Sequence, residues 1–371
     1  MRVKLRDVCV INMGQSPDSS TYNEKGDGIP FFQGNADFGE VTPNVRIWCT
    51  APTKIAQKDD ILISVRAPIG ALNIANTECC IGRGLAALTP NKRLCSGTYL
   101  WYALSGKVTE LNSKGTGSTF KAINKKVLAE TEVPLPPLET QRHIVAVLDK
   151  VSALIALRRQ QLDKLDELVK ARFVEMFGDP QSNPHGYQYA KLSDIATYFN
   201  GLTYKPENVA EEGTIVLRSS NIQNSQLDFA DTVRVDCAIK KRLMVQENDI
   251  LMCSRNGSAK LVGKVALIKG IQEPMSFGAF MMIIRSQYFG YLMTYFQMDA
   301  FRQQIKTGAT TTINQITGRM LDDVTIPLPP MALVEQFAAF VAQTDKAKLA
   351  IQKGLEKLET LKKALMQEYF G

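Results

Sequence analysis

Pro134-Leu135-Pro136-Pro137 opens a run from Leu138 to Gly178, and Pro327-Leu328-Pro329-Pro330 opens a second from Met331 to Gly371. The two proline clusters lie 193 residues apart (327 − 134), and so do the two closing glycines (371 − 178), so the runs align without a gap. In the first, Ile144, Leu148, Val151, Ile155, Arg158, Leu162, Leu165, Val169, Arg172 and Met176 recur at steps of four and three. In the second, Phe337, Val341, Thr344, Lys348, Ile351, Leu355, Leu358, Lys362, Leu365 and Tyr369 keep the same steps. That spacing is the seam of a supercoiled helix pair. Neither run has an internal proline, and Gly354 is the only internal glycine. At 1.5 Å per residue each helix would be about 60 Å long. A narrow apolar stripe of that length needs an equally long partner, so the spacing predicts two long antiparallel helices. Arg158, Arg172, Lys348 and Lys362 fall on the seam; either they snorkel along it, or they fix register or touch a polyanion.

The repeat reaches beyond the helices. Lys4-Leu5-Arg6-Asp7-Val8 echoes Lys191-Leu192-Ser193-Asp194-Ile195, and Ile61-Leu62-Ile63-Ser64-Val65-Arg66 echoes Ile250-Leu251-Met252-Cys253-Ser254-Arg255. Gly115-Thr116-Gly117-Ser118-Thr119-Phe120 echoes Gly308-Ala309-Thr310-Thr311-Thr312-Ile313. The chain therefore reads as two copies of one unit, a globular part followed by a long helix. The boundaries read as 1–137, helix 138–178, a Gly/Pro/Asn linker 179–190, 191–330, and helix 331–371. Short β-rich runs occur at Ile61–Val65, Leu85–Leu88, Thr214–Leu217, Val262–Ile268 and Phe280–Ile284. Tyr99–Leu111 and Tyr288–Ile305 read as short helices. The expected fold class is α+β: two globular domains separated by two long antiparallel coiled-coil helices, with a pseudo-twofold internal repeat.

A formal net charge of +7 makes a polyanionic partner plausible. Seven scattered cysteines without Cys-x-x-Cys suggest neither a disulfide framework nor a zinc site and fit a reducing compartment. Met1-Arg2-Val3-Lys4-Leu5-Arg6-Asp7 has no apolar signal core, and no apolar run approaches 18 residues, so a soluble cytoplasmic protein with no membrane partner is expected.

Catalytic chemistry is hard to find. There is no Gly-x-Gly-x-x-Gly and no phosphate-binding loop. Asn183-Pro184-His185-Gly186 has the start of an amino-methyltransferase motif without its second proline or aromatic residue, and reads as a turn. Pro17-Asp18 with Glu24-Lys25 sits in a polar loop rather than on a nuclease strand. His143 and His185 have no nucleophilic partner in view.

Two globular units, each closed by Pro-Leu-Pro-Pro and a long helix, resemble the specificity (S) subunit of type I DNA restriction–modification systems. The resemblance also rests on Gly28-Ile29-Pro30-Phe31-Phe32-Gln33-Gly34-Asn35-Ala36-Asp37, Ser64-Val65-Arg66-Ala67-Pro68 and Gly82-Arg83-Gly84 in the first unit. In the second it rests on Gly201-Leu202-Thr203-Tyr204, Leu217-Arg218-Ser219-Ser220-Asn221 and Ser254-Arg255-Asn256-Gly257-Ser258. Leu138-Glu139-Thr140-Gln141 and Val334-Glu335-Gln336 depart from one shared Glu-Gln register.

The resemblance implies a non-catalytic subunit whose two target-recognition domains each read half of an asymmetric, bipartite site on double-stranded DNA. It implies helices that set the spacing and dock two methyltransferase subunits, with restriction subunits joining for cleavage. S-adenosylmethionine would then sit on the methyltransferase partner, with no cofactor bound by this chain and no metal. Candidate DNA contacts are Gln33, Asn35, Arg66, Arg83, Ser118 and Lys121 in the first unit, and Arg218, Ser219, Asn221, Arg255, Asn256 and Thr311 in the second. Arginine suits guanine O6 and N7, and Asn or Gln suits adenine N6 and N7; any one of them is otherwise a solvated loop residue. Gly115-Thr116-Gly117 and Gly308 either admit a phosphate or end a helix. A coiled-coil protein adaptor without DNA binding is the competing reading.

Overall fold

The computed structural model describes residues 1–117, 121–306 and 315–371. Both long helices form, Leu138–Phe177 and Met331–Phe370. The first stops because Gly178 takes φ +76°, a left-handed conformation in which its N–H still reaches the Val174 carbonyl at 2.8 Å. Every seam position named above is buried or half-buried. The spacing overlooks Phe173, Phe177 and Phe370, which are more deeply buried than most of the seam because they enter the globular cores.

The chain divides into two compact units, Met1–Gln160 with Gln352–Gly371, and Gln161–Ile351. The linear boundaries expected from sequence cut each long helix away from a globular part, whereas each unit takes a share of both helices. In the first unit Ile144 and Leu148 share a core with Phe370, and Arg159 pairs with Glu359 at 2.7 Å. In the second, Phe173 and Phe177 lie 5.6 and 5.3 Å from the Phe337 ring, while Asp166 pairs with Lys348. As one segment advances from Asp166 to Phe177 its partner steps back from Lys348 to Phe337, so the two segments run antiparallel within this unit. Two seam cations thus have local partners: Lys348 has Asp166, and Arg172 reaches Glu175 at 2.8 Å with its guanidinium 5.9 Å above Phe340.

Each globular part is built the same way. In the first unit an antiparallel sheet runs in the order Cys9–Met13, Leu85–Pro90, Ile61–Ser64, Leu72–Ile74. In the second the order is Thr197–Asn200, Met281–Arg285, Ile250–Cys253, Val265–Leu267. The inner strands Ile61–Ser64 and Ile250–Cys253 are buried throughout, which is why they read as continuous apolar runs rather than alternating ones. A second sheet in each unit contains one parallel pair, Ile29–Phe32 with Cys79–Ile81 and Thr214–Leu217 with Met275–Phe277. A two-stranded ladder joins Arg2–Lys4 to Glu132–Pro134, and another joins Tyr189–Lys191 to Thr325–Pro327. The Tyr99 hydroxyl donates to the Pro134 carbonyl at 2.9 Å and the Tyr291 hydroxyl to that of Pro327 at 3.0 Å, so the same fastening holds each proline cluster.

Some expected elements are shorter or divided. Tyr99–Leu111 resolves into Gly97–Ser105 and Val108–Ser113, with the weak helix former Gly106 at the break. Tyr288–Ile305 resolves into Phe289–Tyr295 and Asp299–Lys306, where the Gln297 and Met298 N–H groups tighten to carbonyls three residues back. The strand expected from Val262 begins only at Val265, because Gly263 takes φ +84°. Asn183-Pro184-His185-Gly186 is a turn, with the Gly186 N–H on the Asn183 carbonyl at 3.0 Å.

The first long helix starts on a polar anchor. Gln141 is fully buried; its amide donates to the Leu94 and Pro136 carbonyls at 2.9 Å each and accepts from the Ser96 N–H at 3.0 Å. The equivalent position in the second helix (141 + 193) is the buried Val334. Gln141→Ala should strand three backbone groups and cost about 2–3 kcal/mol, measured by chemical denaturation. A loss below about 0.5 kcal/mol would show that water replaces the amide without penalty.

Candidate nucleic-acid interface

In the first unit the site grows from the loop after strand Ile29–Phe32. Asp37 is buried, and its Oδ2 accepts from the Gln33 N–H at 2.8 Å and the Gly34 N–H at 3.3 Å. This clamp bends residues 33–37 into a tight turn and leaves Gln33 exposed and Asn35 half-buried. A second loop, Gly82-Arg83-Gly84, lies directly against the first. The Gly82 N–H donates to the Phe32 carbonyl at 2.8 Å, and a Cβ at Gly84 would come within 2.5 Å of the Gln33 oxygen. Only glycine permits that approach, and Arg83 between them is exposed. A third loop follows strand Ile61–Ser64: the Val65 N–H reaches the Gly84 carbonyl at 2.9 Å, and Arg66 bridges antiparallel to Ala122.

These three loops enclose a cleft of about 330 Å³ lined by Gln33, Asn35, Arg66 and Arg83, with Phe31, Asp37 and Arg46. Lys121 is exposed and does not line the cleft, but its carbonyl holds the Ala67 N–H at 3.0 Å beside Arg66. Arg46 was not expected. It donates to Asp37 Oδ1 and sits between Val45 and Ile47, which both pack inward. That apolar–Arg–apolar alternation is the one sequence signal that marks it. Tyr22 stacks on Phe31 at 4.7 Å. Burial pushes the Tyr22 phenol upward against a smaller opposing effect of Arg83, so it stays a neutral donor, to the Pro17 carbonyl at 2.9 Å.

The second unit repeats the framework with different side chains. The Arg218 N–H donates to Asn221 Oδ1 at 2.8 Å, the counterpart of the Asp37 clamp. Arg255 bridges antiparallel to Gln315 as Arg66 does to Ala122, and the Ile316 N–H reaches the Ser254 carbonyl at 2.7 Å as that of Ile123 reaches Val65 at 2.9 Å. Arg255, Asn256 and Ser219 come together. Arg255 is exposed with its guanidinium 5.5 Å over the exposed Phe280 ring, and Asn256 donates to the Ser219 hydroxyl at 3.3 Å.

Asn221 corrects an expectation. It is 1% exposed, and its amide nitrogen donates to the Asp228 and Asp231 carbonyls at 2.8 Å each, so it shapes the loop and has nothing to offer a base. Arg218 is half-buried and pairs with Asp231 at 2.8 Å. Ser118 and Thr311 lie outside the described residues, as does Gly308. Gly115 follows the helix that ends at Ser113, its N–H on the Asn112 carbonyl at 3.2 Å, which fits the helix-ending reading.

Each of the two faces presents guanidinium and amide groups on hydrogen-bonded loops. Among the described residues no group of three or more His, Cys, Asp or Glu is arranged to hold a metal ion, and no helix is long and apolar enough to cross a membrane. Such donors suit base edges and phosphates.

Residues 1–167 and 184–362 match the model of the type I restriction modification DNA specificity domain. A putative type I restriction enzyme MjaX specificity subunit from Methanocaldococcus jannaschii is 44% identical over 160 residues, covering 43% of this chain and 38% of that protein. The EcoKI specificity subunit of Escherichia coli strain K12 is 28% identical over 196 residues, covering 49% of this chain and 42% of that protein. These two matches thus span about two fifths of each relative's length. The MjaIX specificity subunit of M. jannaschii is 22% identical over 402 residues, covering 98% and 90%. Among solved structures, the S subunit from M. genitalium shares the fold with a TM-score of 0.57 at 15% identity, covering 100% of this chain and 96% of that one. A chain from a type I R-M system shares it with a TM-score of 0.60 at 18% identity, covering 100% and 97%. With both halves of the chain matched, this protein belongs to the type I restriction–modification DNA specificity family.

Proposed function

We propose that the chain is the DNA-reading subunit of a type I restriction–modification enzyme. Each globular unit reads one half of an asymmetric, bipartite site on double-stranded DNA. The long helices act as a coiled-coil spacer that sets the gap between half-sites and docks two methyltransferase subunits, with restriction subunits joining for cleavage. S-adenosylmethionine binds to the methyltransferase subunits, and this chain performs no chemistry on DNA. The observation that carries the reading is the repeated framework with unlike contents. Arg66 and Arg255 occupy equivalent bridged positions, but one lines a cleft with Arg46 and Arg83 while the other lies over Phe280 beside Asn256. A protein adaptor has no need of two arginine-bearing faces built on one scaffold, and unlike faces suit unlike half-sites.

The test is to co-express the chain with the methyltransferase subunit of its own system and map methylated adenines by sequencing. A bipartite modified site is expected. Arg255→Ala should relax one position of the second half-site, at about 1–3 kcal/mol for a lost bidentate base contact, and leave the first half-site unchanged. Equal weakening on every sequence would make Arg255 a phosphate contact, and methylation without any bipartite pattern would overturn the proposal.

A further inference from the structure

We infer that Arg46 reads a guanine in the first half-site and that Asp37 is the residue that positions it, an inference that rests on the DNA-reading role proposed above. Asp37 uses its two carboxylate oxygens for different tasks. Oδ2 clamps the Gln33 and Gly34 N–H groups, and Oδ1 accepts from Arg46 Nη2. Nη2 also points to the Ala36 carbonyl at 3.4 Å. Arg46 itself stands on a firm backbone: the Asn44 N–H donates to the Asp37 carbonyl at 2.8 Å, and the Phe31 N–H to the Ile47 carbonyl at 2.9 Å. Nη2 of the guanidinium is therefore held, and Arg46 lines the cleft together with Arg66 and Arg83.

The pair does little as a structural brace, because the Arg46 side chain is 59% exposed and ion pairs in such settings contribute little to stability. Oriented donors on an exposed fork are what bidentate recognition of guanine O6 and N7 requires. The second unit shows that the loop does not need the charge. There the neutral Asn221 holds the single Arg218 N–H where Asp37 holds two, and its nitrogen turns to carbonyls instead of recruiting an arginine. Asp37→Asn should accordingly keep the turn in the first unit and release Arg46.

The experiment uses the full chain in complex with its methyltransferase subunit and duplexes carrying the mapped site. Replacing the relevant guanine of the first half-site with 7-deazaguanine removes N7 alone. Wild type should bind the modified duplex about tenfold more weakly, the lower part of the range for a bidentate pair, because the O6 contact remains. Arg46→Ala should bind both duplexes alike, and Asp37→Asn should lose most of the discrimination, while both variants keep the second half-site preference as evidence of folding. The inference is overturned if Arg46→Ala still discriminates, if it weakens all sequences equally, or if the first half-site holds no guanine. A wild-type complex without any sequence preference would instead overturn the DNA-reading role.

Discussion

Replacing Phe337 with alanine lowers the stability of the second unit by about 3–5 kcal/mol, the usual cost of emptying an aromatic site in a packed core. Phe337 is fully buried, with Phe173 and Phe177 at 5.6 and 5.3 Å, and these in turn lie 4.9 and 5.1 Å from Tyr291. The surrounding rings cannot collapse into the space. Two belong to the other long helix, and Tyr291 is tethered through its hydroxyl to the Pro327 carbonyl at 3.0 Å. Tyr291 is 1% exposed, and this burial pushes its phenol far above the ordinary range. Hydrogen exchange read peptide by peptide assigns the loss: protection should fall across Phe289–Tyr295 and the adjoining helix segments. Chemical denaturation gives its size, and a change below about 1 kcal/mol would mean that the cluster is loosely packed, contrary to what the ring geometry implies.

The sequence showed what is periodic and concealed what is convergent. The two long helices were legible because a four-three spacing over 33 residues in each (144–176 and 337–369) has no competing explanation, and the internal repeat was legible because Arg66 and Arg255 sit in matching apolar frames. Phe173, Phe177 and Phe370 escaped because the spacing selects the stripe between helices, while these residues enter the globular cores. Of the strands in the second sheets only Thr214–Leu217 was read from sequence, and the others escaped for another reason. Many of them are only two residues long, and the parallel pair Ile29–Phe32 with Cys79–Ile81 joins segments that no local pattern connects.

The candidate site divides in the same way. Gln33, Asn35, Arg66 and Arg83 converge on one cleft because the loops that carry them are stitched together through Asp37 and Gly84. Asn221 was a sound candidate by residue type alone, yet burial commits its amide to the backbone. Arg46 belonged to no motif and was missed although it lines the cleft. Residue type reveals which hydrogen bonds a side chain can make; the fold decides which of them remain available.

Arg285→Met destabilises the second unit by about 3–5 kcal/mol, because it leaves a buried carboxylate without its cation. Asp249 is 1% exposed at the start of strand Ile250–Cys253. Its two oxygens accept from Arg285 Nε and Nη2 at 2.7 Å each, and Oδ2 also accepts from the Gln246 N–H at 2.7 Å. The same hydrogen bonds hold the Arg285 guanidinium above its ordinary range, and it lies 5.7 Å from the Phe199 ring. The pair is thus a shared arrangement rather than two separate contributions, and single substitutions should not add. Asp249→Asn keeps an oxygen for the Gln246 N–H and removes the charge. In the Asp249→Asn, Arg285→Met double variant the carboxylate that made the single change costly is gone, so stability should recover by more than half of the Arg285→Met loss. Denaturation midpoints of the four proteins form a double-mutant cycle. A coupling below about 0.5 kcal/mol would mean that water reaches Asp249 once the arginine is removed, and that its burial in the folded chain depends on Arg285 itself.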